Sequence, residues 1–389
     1  MTPAARWAAA AQIMDEITDG VPAEKALTNW ARRSRFAGSK DRAAVRDHVF
    51  DILRCWRSVA VLGGGTSGRE LVLGRVRQTG LDVDTVFTGD KYGLAPLSDA
   101  ERNAGDVPSG AAAADLPDWI YDIFRRDLGD DAHATAEAVR SRAAVFLRVN
   151  TLKADRTTAQ NALSAAGIDT RPHDLSPTAL EVVDGARRIA QSGPYLDGLV
   201  ELQDVSSQAV VDALPLQPGQ RVLDYCAGGG GKTLAMAARL RGPVDAHDAD
   251  PRRMSDLTTR AQRAGADIRQ VAAPTGLYDL VLCDVPCSGS GSWRRSPEGK
   301  WRLTEARLSD LHGVQASILD RVAPLVKPDG ALAYATCSVL KSENEVQIQR
   351  FLSTHPEWIC AVQHRFSLIS GGDGFFLAIL RRVGKSSTT

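Results

Sequence analysis

Between Gln203 and Leu380, short apolar runs alternate with helical stretches, and that alternation leaves few folds open to the chain. Strands are predicted at Arg221–Asp224, Val244–Asp248, Leu280–Asp284, Ala331–Thr336 and Gly374–Leu380, with helices between them. The run Tyr278-Asp279-Leu280-Val281-Leu282-Cys283 is apolar enough for a strand covered on both faces. The expected fold class is α/β, with a mostly parallel, doubly wound sheet whose ligands bind beyond the carboxyl ends of the strands.

Two further parts precede this region. Residues 3 to 128 are helical in pattern, and Ser39 is expected to cap a helix carrying Val45, Val49, Ile52, Leu53 and Trp56 on one face. The cluster Ala31-Arg32-Arg33-Ser34-Arg35 reads either as a solvated helix end or as an RNA contact. Phe146–Lys153 then reads as a strand, Ala154–Ala166 as a helix and Leu180–Val183 as another strand, together a small α/β unit. At 389 residues the chain exceeds one ordinary core. We expect a helical part at 1–128, a linker helix with the small α/β unit at 129–200, and the large sheet at 201–383.

The 47 basic and 47 acidic residues cancel, which argues against a protein that coats nucleic acid non-specifically. Local basic patches still allow a site-specific RNA enzyme. No apolar run approaches the roughly 18–20 residues that cross a bilayer, so we expect no membrane partner, a cytoplasmic location and a monomer. The six cysteines form no CxxC pair and no His/Cys cluster, so reduced thiols and no metal are expected. Cys55, Cys283 and Cys360 read as small buried hydrophobes.

Asp224-Tyr225-Cys226-Ala227-Gly228-Gly229-Gly230-Gly231-Lys232-Thr233 forms the first strand-to-helix turn. It is not a phosphate-binding P-loop, which needs glycine where Cys226 stands, nor a dinucleotide turn, which needs glycine at Thr233. It fits the strand–Asp–x–x–x–Gly–x–Gly turn with which class I methyltransferases hold S-adenosylmethionine. Asp248, after the second strand, is placed to accept from ribose hydroxyls. Candidate cofactor residues are therefore Asp224, Cys226, Ala227, Gly228, Gly229, Gly230, Lys232, Asp248, Arg253, Asp284 and Pro286.

Two thiols follow two successive strands, Cys287 in Asp284-Val285-Pro286-Cys287 and Cys337 in Ala335-Thr336-Cys337-Ser338. Adjacent strand ends would bring both thiols and Asp284 together. A cytosine ring is too weak a nucleophile at carbon 5 to take a methyl group until a thiolate adds at carbon 6, so a thiol pair suits that reaction. The basic, aromatic segment Trp293–Trp301 offers Arg294, Arg295, Lys300 and Trp301 to hold phosphates beside a flipped base, or else is a solvated loop.

Together, Asp284–Gly291, Ala335–Ser338, Asp224–Thr233 and Arg148–Lys153 resemble the Sun/RsmB-type RNA cytosine-5 methyltransferases, over roughly Phe146 to Arg382. The resemblance implies a class I (Rossmann-like) methyltransferase sheet preceded by a small α/β subdomain and a helical NusB-like domain. It implies Cys337 as nucleophile, Cys287 as the thiol assisting release, Asp284 as partner of ring nitrogen 3, and Lys232 in support. Small-subunit ribosomal RNA is the substrate it suggests; transfer RNA, or an inert RNA-binding assembly factor with the same fold, are the alternatives. Gly229 replaces a proline usual in the family turn, and Gln270–Gly276 lacks an acid usual near the adenine, so weaker cofactor affinity is expected.

Overall fold

The computed structural model describes residues 1–383, in two compact units. The first comprises Met1–Arg142 together with Trp293–Arg302, and the second Ala143–Ser292 with the chain from Leu303.

In the first unit, helices Pro3–Thr18, Ala23–Arg33, Ser39–Arg54, Trp56–Gly63 and Gly68–Thr79 pack around Ile13, Met14, Val45, Val49, Ile52, Leu53, Leu71 and Val72. Apolar side chains three and four residues apart on Ser39–Arg54 face this core, which accounts for its burial. Gly38, not Ser39, occupies the N-cap, and no side chain caps the helix there. Gly64, at φ 83°, ends Trp56–Gly63 in the left-handed conformation that glycine adopts without strain. Helices Asp118–Leu128 and Asp131–Arg140 also belong to this unit; the latter is the helix expected as a linker, and it packs with the first unit rather than with the small α/β unit.

Trp293–Arg302 belongs to this helical core, which revises the expectation placed on it. Lys300 is fully buried, and its Nζ donates to the Arg54 carbonyl at 2.8 Å. Trp301 Nε1 donates to the Leu53 carbonyl at 2.7 Å, and Trp293 stacks parallel on Phe124 with ring centroids 6.2 Å apart. Arg294 is buried too, its carbonyl accepting from Arg54 Nε at 2.9 Å. Large aromatics with satisfied N–H groups are core material. Lys300, Trp301 and Arg294 therefore plug the helical unit rather than face a substrate, and Arg295 alone of the four is exposed.

The second unit holds two sheets. Strands β1 (Phe146–Val149), β2 (Asp169–Pro172), β3 (Ala179–Asp184) and β4 (Val200–Leu202) form an antiparallel sheet in the order β2-β3-β1-β4. Helix Arg156–Ala165 supplies Ala159 and Leu163 to its core of Leu147, Val149 and Leu180.

The larger sheet takes β5 (Val222–Asp224), β6 (Val244–Ala246), β7 (Ile268–Gln270), β8 (Tyr278–Asp284), β9 (Val326–Thr336), β10 (Trp358–Phe366) and β11 (Phe375–Arg382). Their order is β10-β11-β9-β8-β5-β6-β7. Neighbours from β9 to β7 are parallel, while β11 runs antiparallel to both β9 and β10. Side chains alternate between two cores: Val222, Leu280, Leu282 and Ala333 on one face, Leu223, Val281, Cys283 and Leu332 on the other. The order reverses between β5 and β8, whose successors lie on opposite sides, so the crevice for ligands opens at their carboxyl ends.

Candidate active site

At that crevice β5 delivers Asp224 and β8 delivers Asp284, in strands whose registers pair Asp224 with Leu282 and Asp284 with Ala335. Register brings the loop after β8 beside the loop after β9. Cys287 Sγ and Cys337 Sγ lie 3.4 Å apart, both half-buried. Hydrogen bonding to Cys337, then burial, then the charges of Cys337 and Glu343 push the Cys287 thiol well above its ordinary range. Either sulfur can act as the donor across that 3.4 Å contact.

Lys232, in the first turn of helix Gly231–Leu240, donates from Nζ to Asp284 Oδ2 at 2.7 Å and lies 4.8 Å over the Phe375 ring. Burial opposes its charge, but Asp284, by charge and hydrogen bond, with Cys337 and Asp224, holds the ammonium above its ordinary range. A permanent cation thus stands beside the Asp284 carboxylate, facing the thiols.

Asp224 is buried, and Thr233 Oγ1 donates to its Oδ2 at 2.7 Å. Burial raises its carboxyl to about 7, against the Thr233 bond, with Asp284 adding to the rise. Its Oδ1 is buried with no hydrogen-bond partner, an acceptor that a bound ligand could satisfy. The glycine turn is tight. Gly228 and Gly230 have φ of 52° and 80°, and a Cβ on Gly230 would lie 2.2 Å from Leu257 Cδ1. Asp248 Oδ2 accepts from Gly228 N at 2.9 Å and Oδ1 from Asp250 N at 2.9 Å, while Arg253 Nη1 stands 3.2 Å from Oδ2. Asp248 therefore braces the turn. Burial raises the Cys226 thiol far above its ordinary range.

The turn has supports that sequence patterns did not reveal. Arg260 Nη1 donates to the Gly229 carbonyl and Arg148 Nη1 to the Gly231 carbonyl, the latter at 2.6 Å. Glu201 on β4 pairs with Arg260 and Arg263 at 3.4 and 2.8 Å. These long-range bonds hold the four-glycine turn that lacks the expected proline. Cys360, expected in the core, lies half-buried on β10, the sheet's edge strand.

Two family descriptions match the chain: "16S rRNA methyltransferase RsmB/F" over residues 211–380, and an RsmF/B-like, ferredoxin-like domain over residues 116–187. A probable ribosomal RNA small subunit methyltransferase B of Synechocystis sp. is 31% identical over 298 residues, 69% of this chain and 67% of that protein. Ribosomal RNA small subunit methyltransferase B of Xylella fastidiosa is 34% identical over 309 residues, 74% of this chain and 71% of its own length. The chain belongs to the RsmB/F methyltransferase family. A solved methyltransferase homologue from Pyrococcus horikoshii shares the fold, with a TM-score of 0.62 at 24% identity, covering 70% of this chain and 98% of that one. Within the RsmB/F frame, Cys287, Cys337, Asp284, Lys232 and the glycine turn lie in the matched region 211–380, and the Lys300–Trp301 plug interrupts it in sequence. Among the described residues, no helix is long and apolar enough to cross a membrane, and no group of three or more His, Cys, Asp or Glu could hold a metal ion.

Proposed function

We propose that the chain methylates carbon 5 of a cytosine in small-subunit ribosomal RNA, using Cys337 as nucleophile and Cys287 in release. The observation that carries this reading is the pair of thiols 3.4 Å apart at the strand ends that also present Asp284 and its partner Lys232. A thiol that can donate a hydrogen bond to a second sulfur favours that sulfur as the thiolate, the attacking form.

Cys337 Sγ bonds to carbon 6, and electron density moves from the carbon 5–carbon 6 double bond toward ring nitrogen 3. Asp284 is the partner of ring nitrogen 3 in this reading, and the Lys232 ammonium, 2.7 Å from its carboxyl group, meets the negative charge that develops there. S-adenosylmethionine supplies the methyl group as an electrophile, held by residues of the turn Asp224–Lys232 and by Asp248. The orphaned Asp224 Oδ1 and the glycine cradle fit such a ligand. Once Cys337 is a thioether, both its charge and its role as acceptor are gone, so Cys287 loses its proton to solvent more readily. The Cys287 thiolate then takes the carbon 5 proton, the ring double bond reforms and the Cys337–carbon 6 bond breaks. Arg295, exposed beside the plug, is our remaining candidate for a phosphate contact among the four basic and aromatic residues.

The test uses 16S ribosomal RNA, labelled S-adenosylmethionine and two variants. Cys337→Ala should abolish methylation and form no covalent protein–RNA complex. Cys287→Ala should accumulate that complex. Equal inactivity with no adduct from either variant would break the assignment of roles, and labelled transfer RNA instead of 16S RNA would move the substrate.

A further inference from the structure

We propose that Glu343 is the positioning residue that locks the two thiol-bearing loops to each other and so sets Cys287 against Cys337. Its catalytic consequence rests on the function proposed above; the lock itself does not.

The strand ladder between β8 and β9 ends at Asp284 and Ala335, with Val285 N still donating to the Ala335 carbonyl at 3.0 Å. Both thiols lie beyond it, on loops that regular pairing no longer aligns. Glu343 is fully buried beneath them. Its Oε1 accepts from Ser288 N at 2.7 Å and from Gln315 Nε2 at 3.1 Å. Its Oε2 accepts from Ser288 Oγ and Ser338 Oγ, each at 2.5 Å. Ser288 directly follows Cys287, and Ser338 directly follows Cys337. One carboxylate thus holds the residue next to each thiol.

The surrounding bonds reinforce the same geometry. Gln315 Nε2 also donates to the Pro286 carbonyl at 3.0 Å, on the other side of Cys287. Ser290 Oγ lies 2.9 Å from Ser338 Oγ and accepts from Val339 N at 2.9 Å, a second link between the loops. Glu343 is itself held, its carbonyl accepting from Tyr334 Oη at 2.6 Å. The four donors to its carboxylate are neutral, and a buried carboxylate that relies on neutral donors costs several kcal/mol of desolvation. Stability alone would favour an uncharged side chain of that size. What the carboxylate offers in return is four acceptor sites converging from both loops, which no apolar group or amide supplies. The groups that face Cys287 and can carry charge are Cys337, Glu343 and the Tyr334 hydroxyl.

The experiment compares full-length wild type with Glu343→Gln. Alkylation of Cys287 by iodoacetamide at pH 8, without RNA or cofactor, is followed by peptide mass spectrometry. Loss of the carboxylate charge and loosening of the thiol pair both acidify Cys287. Its alkylation should therefore rise on the order of tenfold, one pH unit of acidity being tenfold in thiolate. With 16S ribosomal RNA, kcat should fall at least about tenfold while KM for RNA and for S-adenosylmethionine stays within about twofold, because Glu343 touches neither. Unchanged Cys287 alkylation in a folded Glu343→Gln protein overturns the proposal. Should that variant fail to fold by circular dichroism, Ser338→Ala removes one donor and keeps the carboxylate; a smaller rise in alkylation supports the lock, and none refutes it. Absence of 16S methylation by wild type would count against the proposed function, while the alkylation comparison would still decide on Glu343.

Discussion

Lys300 offers the sharpest test of the division between core and substrate surface. Its ammonium, donating to the Arg54 carbonyl inside the helical unit, is pushed from 10.5 to about 8, chiefly by burial and against the pull of Asp115. A base with a folded value below its unfolded one carries fewer protons when folded between those two values. Stability therefore rises with pH across that window, here from about pH 8 to about 10.5, and below pH 8 the full cost of the buried charge remains. At 1.36 kcal/mol per pH unit the rise is worth about 3 kcal/mol. Lys300→Met removes the titration and keeps the aliphatic packing, though it leaves the Arg54 carbonyl without this donor, a pH-independent cost of about 1–3 kcal/mol. Urea unfolding followed by tryptophan fluorescence reports mainly on this unit, because Trp7, Trp30, Trp56, Trp119, Trp293 and Trp301 all lie in it. The stability difference, wild type minus variant, should grow by about 3 kcal/mol between pH 7.5 and 10.5. A difference that does not change with pH refutes the burial argument and returns Lys300 to the solvent-facing role expected from sequence.

Lys232→Met leaves Asp284 without its 2.7 Å partner at a crevice where Asp284 retains 30% side-chain exposure. Removing one group that meets developing charge costs about 3 kcal/mol at the transition state, so single-turnover methyl transfer should slow by about a hundredfold with the circular dichroism spectrum intact. Gly230→Ala forces a side chain into φ 80° and 2.2 Å from the buried Leu257. The left-handed conformation alone costs about 1–2 kcal/mol, so calorimetry should show S-adenosylmethionine binding weakened by about tenfold or more; unchanged affinity would remove the turn from the cofactor site.

Much of the second unit could be read locally. Tyr278–Cys283 is apolar at every position but one, and a strand buried on both faces needs that composition. The glycine turn and the placement of the two cysteines after successive strands carried the register of the site, since β8 and β9 are parallel neighbours. Strand β10 escaped notice because most of its residues are exposed on the sheet edge, which erases the alternation that marks a strand. Strands β2 and β7 are likewise mostly exposed, so no apolar run marks them as it marks the equally short but buried β5 and β6.

The sequence by itself thus determined the α/β class, the glycine turn and the thiol pair, because each depends on residues close in the chain or on a simple alternation. Only tertiary structure decided the fates of Lys300 and Glu343. The first finds its acceptor at Arg54, across 246 positions, and the second gathers donors from Ser288, 55 positions away, and from Ser338. A basic segment beside aromatics and an acid before a helix look solvated in any local window. Whether such a charge meets water, an RNA phosphate or a ring of buried donors depends on which distant segments pack over it, and that is set by the whole fold.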